Sequence, residues 1–124
     1  MVFKSMAVAL LLGIGAWAPQ PVLTPVAPKV TVAVSNDNWM DVDVFVMVGD
    51  TRYRLGTVTT SQVKTFDLPS QAASSNLVRL MADPVGSREI FVSDFLTVTD
   101  GDRVTLTVAN HLPQSTYAVE HTVD

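Results

Sequence analysis

Val42-Asp43-Val44-Phe45-Val46-Met47-Val48-Gly49-Asp50-Thr51-Arg52-Tyr53-Arg54-Leu55 is the stretch whose reading decides the fold. Its first half alternates Val with Asp43, Phe45 and Met47, the period of two that belongs to a strand with one buried face. Gly49-Asp50 then supplies the two-residue loop of a primed turn, where Gly takes a positive φ without a Cβ penalty. A loop of that length sets the register: Val48 faces Thr51, Met47 faces Arg52, Val46 faces Tyr53, Phe45 faces Arg54 and Val44 faces Leu55. Val44, Val46, Val48, Tyr53 and Leu55 then form a core face. The opposite face carries Asp43, Phe45, Met47, Arg52 and Arg54.

The same alternation recurs on both sides of this hairpin and predicts seven strands: Lys29 to Ser35, Val42 to Val48, Thr51 to Val58, Gln62 to Leu68, Leu77 to Asp83, Glu89 to Phe95 and Asp102 to Ala109. Pro69 to Asn76 is the longest polar loop between them, and Asp100-Gly101 marks the turn before the last strand. Pro84-Val85-Gly86 reads as a three-residue loop, which pairs Leu80 with Ile90, Val78 with Val92, Arg79 with Phe91 and Met81 with Glu89. Short strands at this spacing predict an all-β fold, an antiparallel sandwich of two sheets with about seven strands; a small closed β-barrel is the second choice. In strand count and turn spacing the region resembles the immunoglobulin-like and transthyretin-like sandwiches common in bacterial envelope proteins. It has neither the Cys-Trp-Cys pattern nor the tyrosine corner of antibody domains, so the resemblance carries over no site residues.

Ahead of the strands, Lys4, the apolar run Met6 to Ile14 and the small-residue close Gly15-Ala16-Trp17-Ala18 have the layout of a secretory signal peptide over residues 1–18. The rival reading is an uncleaved anchor. A helix from Met6 to Ala18 reaches only ~20 Å at ~1.5 Å per residue, short of the ~30 Å hydrocarbon layer. Pro19 hinders cleavage directly after Ala18 and moves the expected cut to Ala16 or Gly15. Residues 19–28 hold four prolines in ten positions and read as an extended linker. Residues 29–112 are the expected sandwich domain, and 113–124 a tail or an eighth strand. The expected location is therefore periplasmic or extracellular, membrane-tethered only if the leader stays.

Composition narrows the function. The chain has no cysteine, which removes a lipidation thiol, a disulfide framework and thiolate metal sites. Its net charge is −4, and one unit more negative once Lys4 leaves, which argues against binding a phosphate backbone, so nucleic acid is not an expected partner. His111 and His121 are the only imidazoles, Glu89 and Glu120 the only glutamates, and Gly86-Ser87 sits in a hairpin loop rather than in a nucleophile elbow. These residues predict a non-enzymatic protein with no cofactor.

Two constellations remain. Both hairpins place an arginine beside a phenylalanine on the side away from the core, so Phe45, Met47, Arg52, Arg54, Arg79 and Phe91 are the candidate binding face, for a protein partner or alternatively a glycan. That face is one patch only if both hairpins share a sheet. The second constellation is Asn36 to Asp43, whose Asp37, Asp41 and Asp43 are a weak calcium candidate; the favoured reading is a turn capped by side-chain to backbone bonds. Within it Trp39 reads as a lid over the end of the core, with an exposed stacking platform for a sugar ring as the second choice. The expected function is an exported interaction domain of the bacterial cell envelope, and the alternative a structural or accessory subunit of a larger membrane or surface assembly.

Overall fold

A computed structural model of the chain describes residues 29–121; the expected leader 1–18, the linker 19–28 and residues 122–124 of the tail lie outside them. Val-rich alternation forms β1 (Thr31–Asn36), β2 (Val42–Val48), β3 (Thr51–Val58), β4 (Val63–Asp67), β5 (Leu77–Pro84) and β8 (Arg103–Val108). Two short strands, β6 (Phe91–Val92) and β7 (Leu96–Thr97), replace the single strand expected over Glu89 to Phe95, and the tail contributes β9 (Thr116–Glu120). A one-turn helix, α1 (Ser70–Ala73), sits in the long loop behind Pro69 and tucks Ala72 into the interior.

The strands make two sheets, β4-β1-β8-β9 and β3-β2-β5-β6, with β7 also paired to β5. No ladder joins one sheet to the other among the described residues, so the fold is a two-sheet sandwich and not the closed barrel. The sheets are not wholly antiparallel: β1 and β8 run parallel, Thr31 opposite Arg103 and Asn36 opposite Val108. No hairpin constrains this pair, because the chain between them passes through the second sheet, and only a tight loop forces antiparallel neighbours.

Between the sheets lies a core of valine with a few leucines: Val32 and Val34, Val42, Val44 and Val46, Leu80, and Val104, Leu106 and Val108. β-Branched side chains suit this position because their restricted χ1 packs well on a pleated surface. Leu68 closes one end of the core and Leu112 the other.

The first hairpin keeps the expected register from Val48 opposite Thr51 to Phe45 opposite Arg54. Gly49 has φ +57° and Asp50 does not have a positive φ, the pattern of a type II′ turn. Beyond Phe45 the register slips by one, and Val44 faces Gly56 instead of Leu55. The bulge brings a glycine to the point where β4 crosses over β3: a Cβ on Gly56 would lie 2.7 Å from Phe66 Cε1.

The second hairpin departs further. Met81 faces Val92 and Ala82 faces Phe91, while Leu77 faces Thr97 and Val78 faces Leu96. None of the pairs Leu80–Ile90, Val78–Val92, Arg79–Phe91 or Met81–Glu89 forms. The connection is longer than three residues because Ser87 N–H closes a turn onto Pro84 C=O, and the loop is then held by Val85 N–H on Asp41 C=O and Glu89 N–H on Ser87 Oγ. Farther along, the buried Ser93 donates its N–H to Leu80 C=O, and its Oγ accepts the Leu80 N–H at 2.8 Å. A side chain thus takes the place of a backbone carbonyl in the ladder, which breaks the strand into β6 and β7. Asp94 and Phe95 together then oppose Arg79 alone.

Candidate functional site

Both hairpins contribute to the same sheet, and β2 binds them together: Met47 lies between Arg52 on β3 and Arg79 on β5, and Phe45 lies between Arg54 and Met81. The outer face of this sheet therefore carries two adjacent cross-strand rows. One row is Arg54, Phe45, Met81 and Val92; the other is Arg52, Met47, Arg79 and Phe95.

Two guanidinium groups organise the surface. Arg52 Cζ stands 4.9 Å from the Phe45 ring centroid and its Nη1 is 3.7 Å from Met81 Sδ, so this side chain lies across β2 and covers Met81, which is only 6% exposed. Arg79 Cζ stands 4.8 Å from the Phe95 ring centroid, and its Nε donates to Ser93 C=O at 2.9 Å. Such stacks are worth about 0.5–2 kcal/mol each, according to how far the cation is desolvated. Neither Arg52 nor Arg79 forms an ion pair among the described residues, whereas Arg54 Nη2 is held 3.0 Å from Asp43 Oδ1. The patch is thus cationic and aromatic on an acidic protein.

Of the expected face residues, Phe45, Met47, Arg52, Arg54 and Arg79 come together. Phe91 does not join them. Opposite Ala82, it packs against the core with its ring centroid 6.0 Å from that of Tyr117. Phe95, 62% exposed, takes the place beside Arg79 through the break at Ser93. Phe95 and Met81 are not among the expected face residues. The expected register sets Ser93 on the outer side with Phe91, whereas the structure buries Ser93 and packs Phe91 against the core, and the break at Ser93 returns Phe95 to the surface.

The Asn36-to-Asp43 segment is a pinned loop. Buried Asn36 donates from Nδ2 to Met40 C=O and Val58 C=O, and its Oδ1 accepts Asn38 N–H. Buried Asn38 donates to Ala109 C=O and Asn110 C=O and accepts Met40 N–H. The calcium candidate is not assembled. Asp41 accepts Thr60 N–H, Asp43 is turned to Arg54 and Thr57 on the sheet face, and Asp37 stands exposed; among the described residues no three His, Asp or Glu side chains gather as metal ligands. The alternation of β2 explains the dispersal, because it assigns Asp43 to the outer face, away from the loop.

Trp39 is not a lid over the core. It stands 81% exposed directly after Asn38, in the turn that Asn36 and Asn38 close onto Met40. An indole buries ~150–250 Å² when packed, so leaving it in water forgoes about 4–6 kcal/mol at ~25 cal/mol per Å². Beside it a depression of about 210 Å³ is lined by Trp39, Met40, Ser87, Glu89 and Asn110 among others; a neighbouring one of about 370 Å³ shares Glu89 and Leu112 with it.

At the opposite end of the sandwich, Asp102 is 2% exposed and anchors the turn before β8. It accepts Thr99 N–H at 2.8 Å and the Thr99 hydroxyl, and meets His121 Nδ1 at 2.9 Å. Burial pushes its carboxyl up, but the bonds from Thr99 N–H, the His121 ring and the Thr99 hydroxyl outweigh that and hold it below the ordinary carboxylate value. Among the described residues no helix is long and apolar enough to cross a membrane. No family model matches this chain, and no curated protein matches it either.

Proposed function

We propose that this chain is a non-enzymatic, exported interaction domain of the bacterial cell envelope, and that it binds a protein partner through the outer face of the sheet β3-β2-β5. The observation that carries this reading is the paired stack, Arg52 on Phe45 and Arg79 on Phe95, laid side by side across Met47 with neither guanidinium neutralised by a carboxylate. Arg and aromatic groups dominate the energetics of protein interfaces, and a rigid sheet presents them with little ordering cost on binding. Charge complementarity then favours a partner surface with carboxylates set among apolar side chains, rather than a neutral glycan. The finer likeness to immunoglobulin-like or transthyretin-like sandwiches belongs to the same proposal and rests on strand number and hairpin spacing.

The test compares the full chain with Arg52→Glu and Phe95→Ala, each purified from its native envelope under mild detergent. Both positions are exposed, so each variant should stay folded and lose no more stability than its stack supplies, about 0.5–2 kcal/mol. The proposal expects the wild-type chain to bring down one stoichiometric protein that both variants lose. A wild-type chain that travels alone, or variants that retain the partner, would refute it.

A further inference from the structure

Four of the large apolar side chains exposed among the described residues lie in two neighbouring loops at one end of the sandwich: Trp39 and Met40 between β1 and β2, Val85 and Ile90 between β5 and β6. The loops are tied together by Val85 N–H on Asp41 C=O at 2.8 Å. The two depressions open here and lie side by side, sharing Glu89 and Leu112, with Trp39 lining one and Pro113 the other.

From this arrangement we infer that the loop end of the sandwich is a saccharide-binding site, in which Trp39 is the platform for a pyranose ring and Glu89 with Asn110 takes its hydroxyl groups. Three observations converge on that chemistry. Trp39 is displayed on a loop whose backbone is fixed by Asn36 and Asn38, which precede it and bond Met40 just beyond it, so its exposure is built in rather than a consequence of slack chain. A flat indole offers a face to the C–H side of a sugar, while its polar edge stays in water. The Glu89 carboxylate and Asn110 side-chain amide line the depression beside it and make no hydrogen bond within the described chain, which leaves acceptors and a donor for hydroxyl groups. Two adjoining depressions suit at least two linked rings.

The charge of the loops argues against the other surface that an exposed Trp could meet. Asp37, Asp41 and Glu89 stand against the single cation Arg88, which repels an anionic membrane. A neutral ligand pays no such penalty. The site is separate from the Arg–Phe sheet face, so either can fail without the other.

The test uses the full chain carrying Trp17→Phe, which leaves Trp39 as the only tryptophan and its fluorescence as the reporter. The probes are chitotetraose, cellotetraose and maltotetraose at millimolar concentration, and vesicles of phosphatidylglycerol with phosphatidylethanolamine. The inference expects a saturable change in Trp39 emission with at least one tetrasaccharide and none with vesicles. By calorimetry, Glu89→Gln should weaken that binding about tenfold and Trp39→Ala should abolish it, with both variants melting as the parent does. No response to any of the three sugars, a response to vesicles alone, or undiminished binding by Trp39→Ala would overturn it.

Discussion

Removing one oxygen atom at Ser93 should destabilise the whole domain. Ser93 Oγ accepts the Leu80 N–H at 2.8 Å and donates to Asp94 C=O at 2.8 Å, and both Ser93 and Leu80 have no exposed surface. In Ser93→Ala the Leu80 N–H has no partner and no water to turn to, which costs about 1–3 kcal/mol; Asp94 is exposed, so its carbonyl recovers a water and adds little. For a domain of this size each kcal/mol lowers the melting midpoint by about 4–8 °C. Urea unfolding measures the loss directly: the midpoint concentration should fall while the slope stays the same, because the surface exposed on unfolding has not changed. Hydrogen exchange gives the local readout, with the Leu80 amide losing protection before its neighbours on β5. Ser87→Ala is the control, since its Oγ accepts Glu89 N–H at an exposed turn where water substitutes. A loss below about 0.5 kcal/mol in Ser93→Ala, no larger than surface substitutions give, would refute the claim that a side chain replaces a ladder carbonyl here.

Gly56→Ala should cost about 1–3 kcal/mol, because its Cβ would meet Phe66 Cε1 at 2.7 Å and the backbone there has φ +156°; pairing it with Phe66→Leu should recover part of the loss in chemical denaturation, and no recovery would place the strain elsewhere. Asp102 releases its proton more readily in the folded chain than in the unfolded one, so its contribution is fully present above the unfolded carboxylate value and disappears as pH falls through the lower folded value. Stability measured by thermal melts should therefore fall below about pH 4, and Asp102→Asn should be less stable at neutral pH with a flatter acid limb; an acid limb identical to that of the parent would show that other carboxylates carry it.

The hairpin Val42 to Val58 was readable in sequence because everything that sets it is local: a two-residue loop, a positive-φ glycine and strict alternation fix the register through Phe45 without reference to the rest of the chain. Its single error, at Leu55, comes from a distant cause, the Phe66 ring of β4 that only Gly56 can pass beneath. The second hairpin failed for the same reason on a larger scale. Glu89 to Phe95 alternates well enough to look like one strand, yet its pairing is decided by where Ser93 Oγ bonds across to β5. Trp39 illustrates the limit from the other side, since a propensity for burial says nothing about a loop whose backbone is fixed by two asparagines.

These departures share a physical origin. Among the described residues the buried polar side chains are Asn36, Asn38, Ser93, Asp102 and Ser115, and none of their buried polar atoms lacks a partner. Each completes a backbone hydrogen bond at a place where a strand ends or breaks: Asn36 and Asn38 between β1 and β2, Ser93 between β6 and β7, Asp102 before β8, and Ser115, whose Oγ accepts Ala109 N–H, before β9. Buried polar groups are costly unless satisfied, so such residues persist in a valine core only where the chain needs a partner that regular pairing does not supply. The surface features follow from them. Ser93 turns Phe95 out beside Arg79 and so completes the sheet-face patch, and the asparagine pair lifts Trp39 clear of the core and so creates the loop-end depression. In a small sandwich with a valine-rich core, the outward-facing aromatic groups are placed from within, by the few polar side chains that interrupt its ladders.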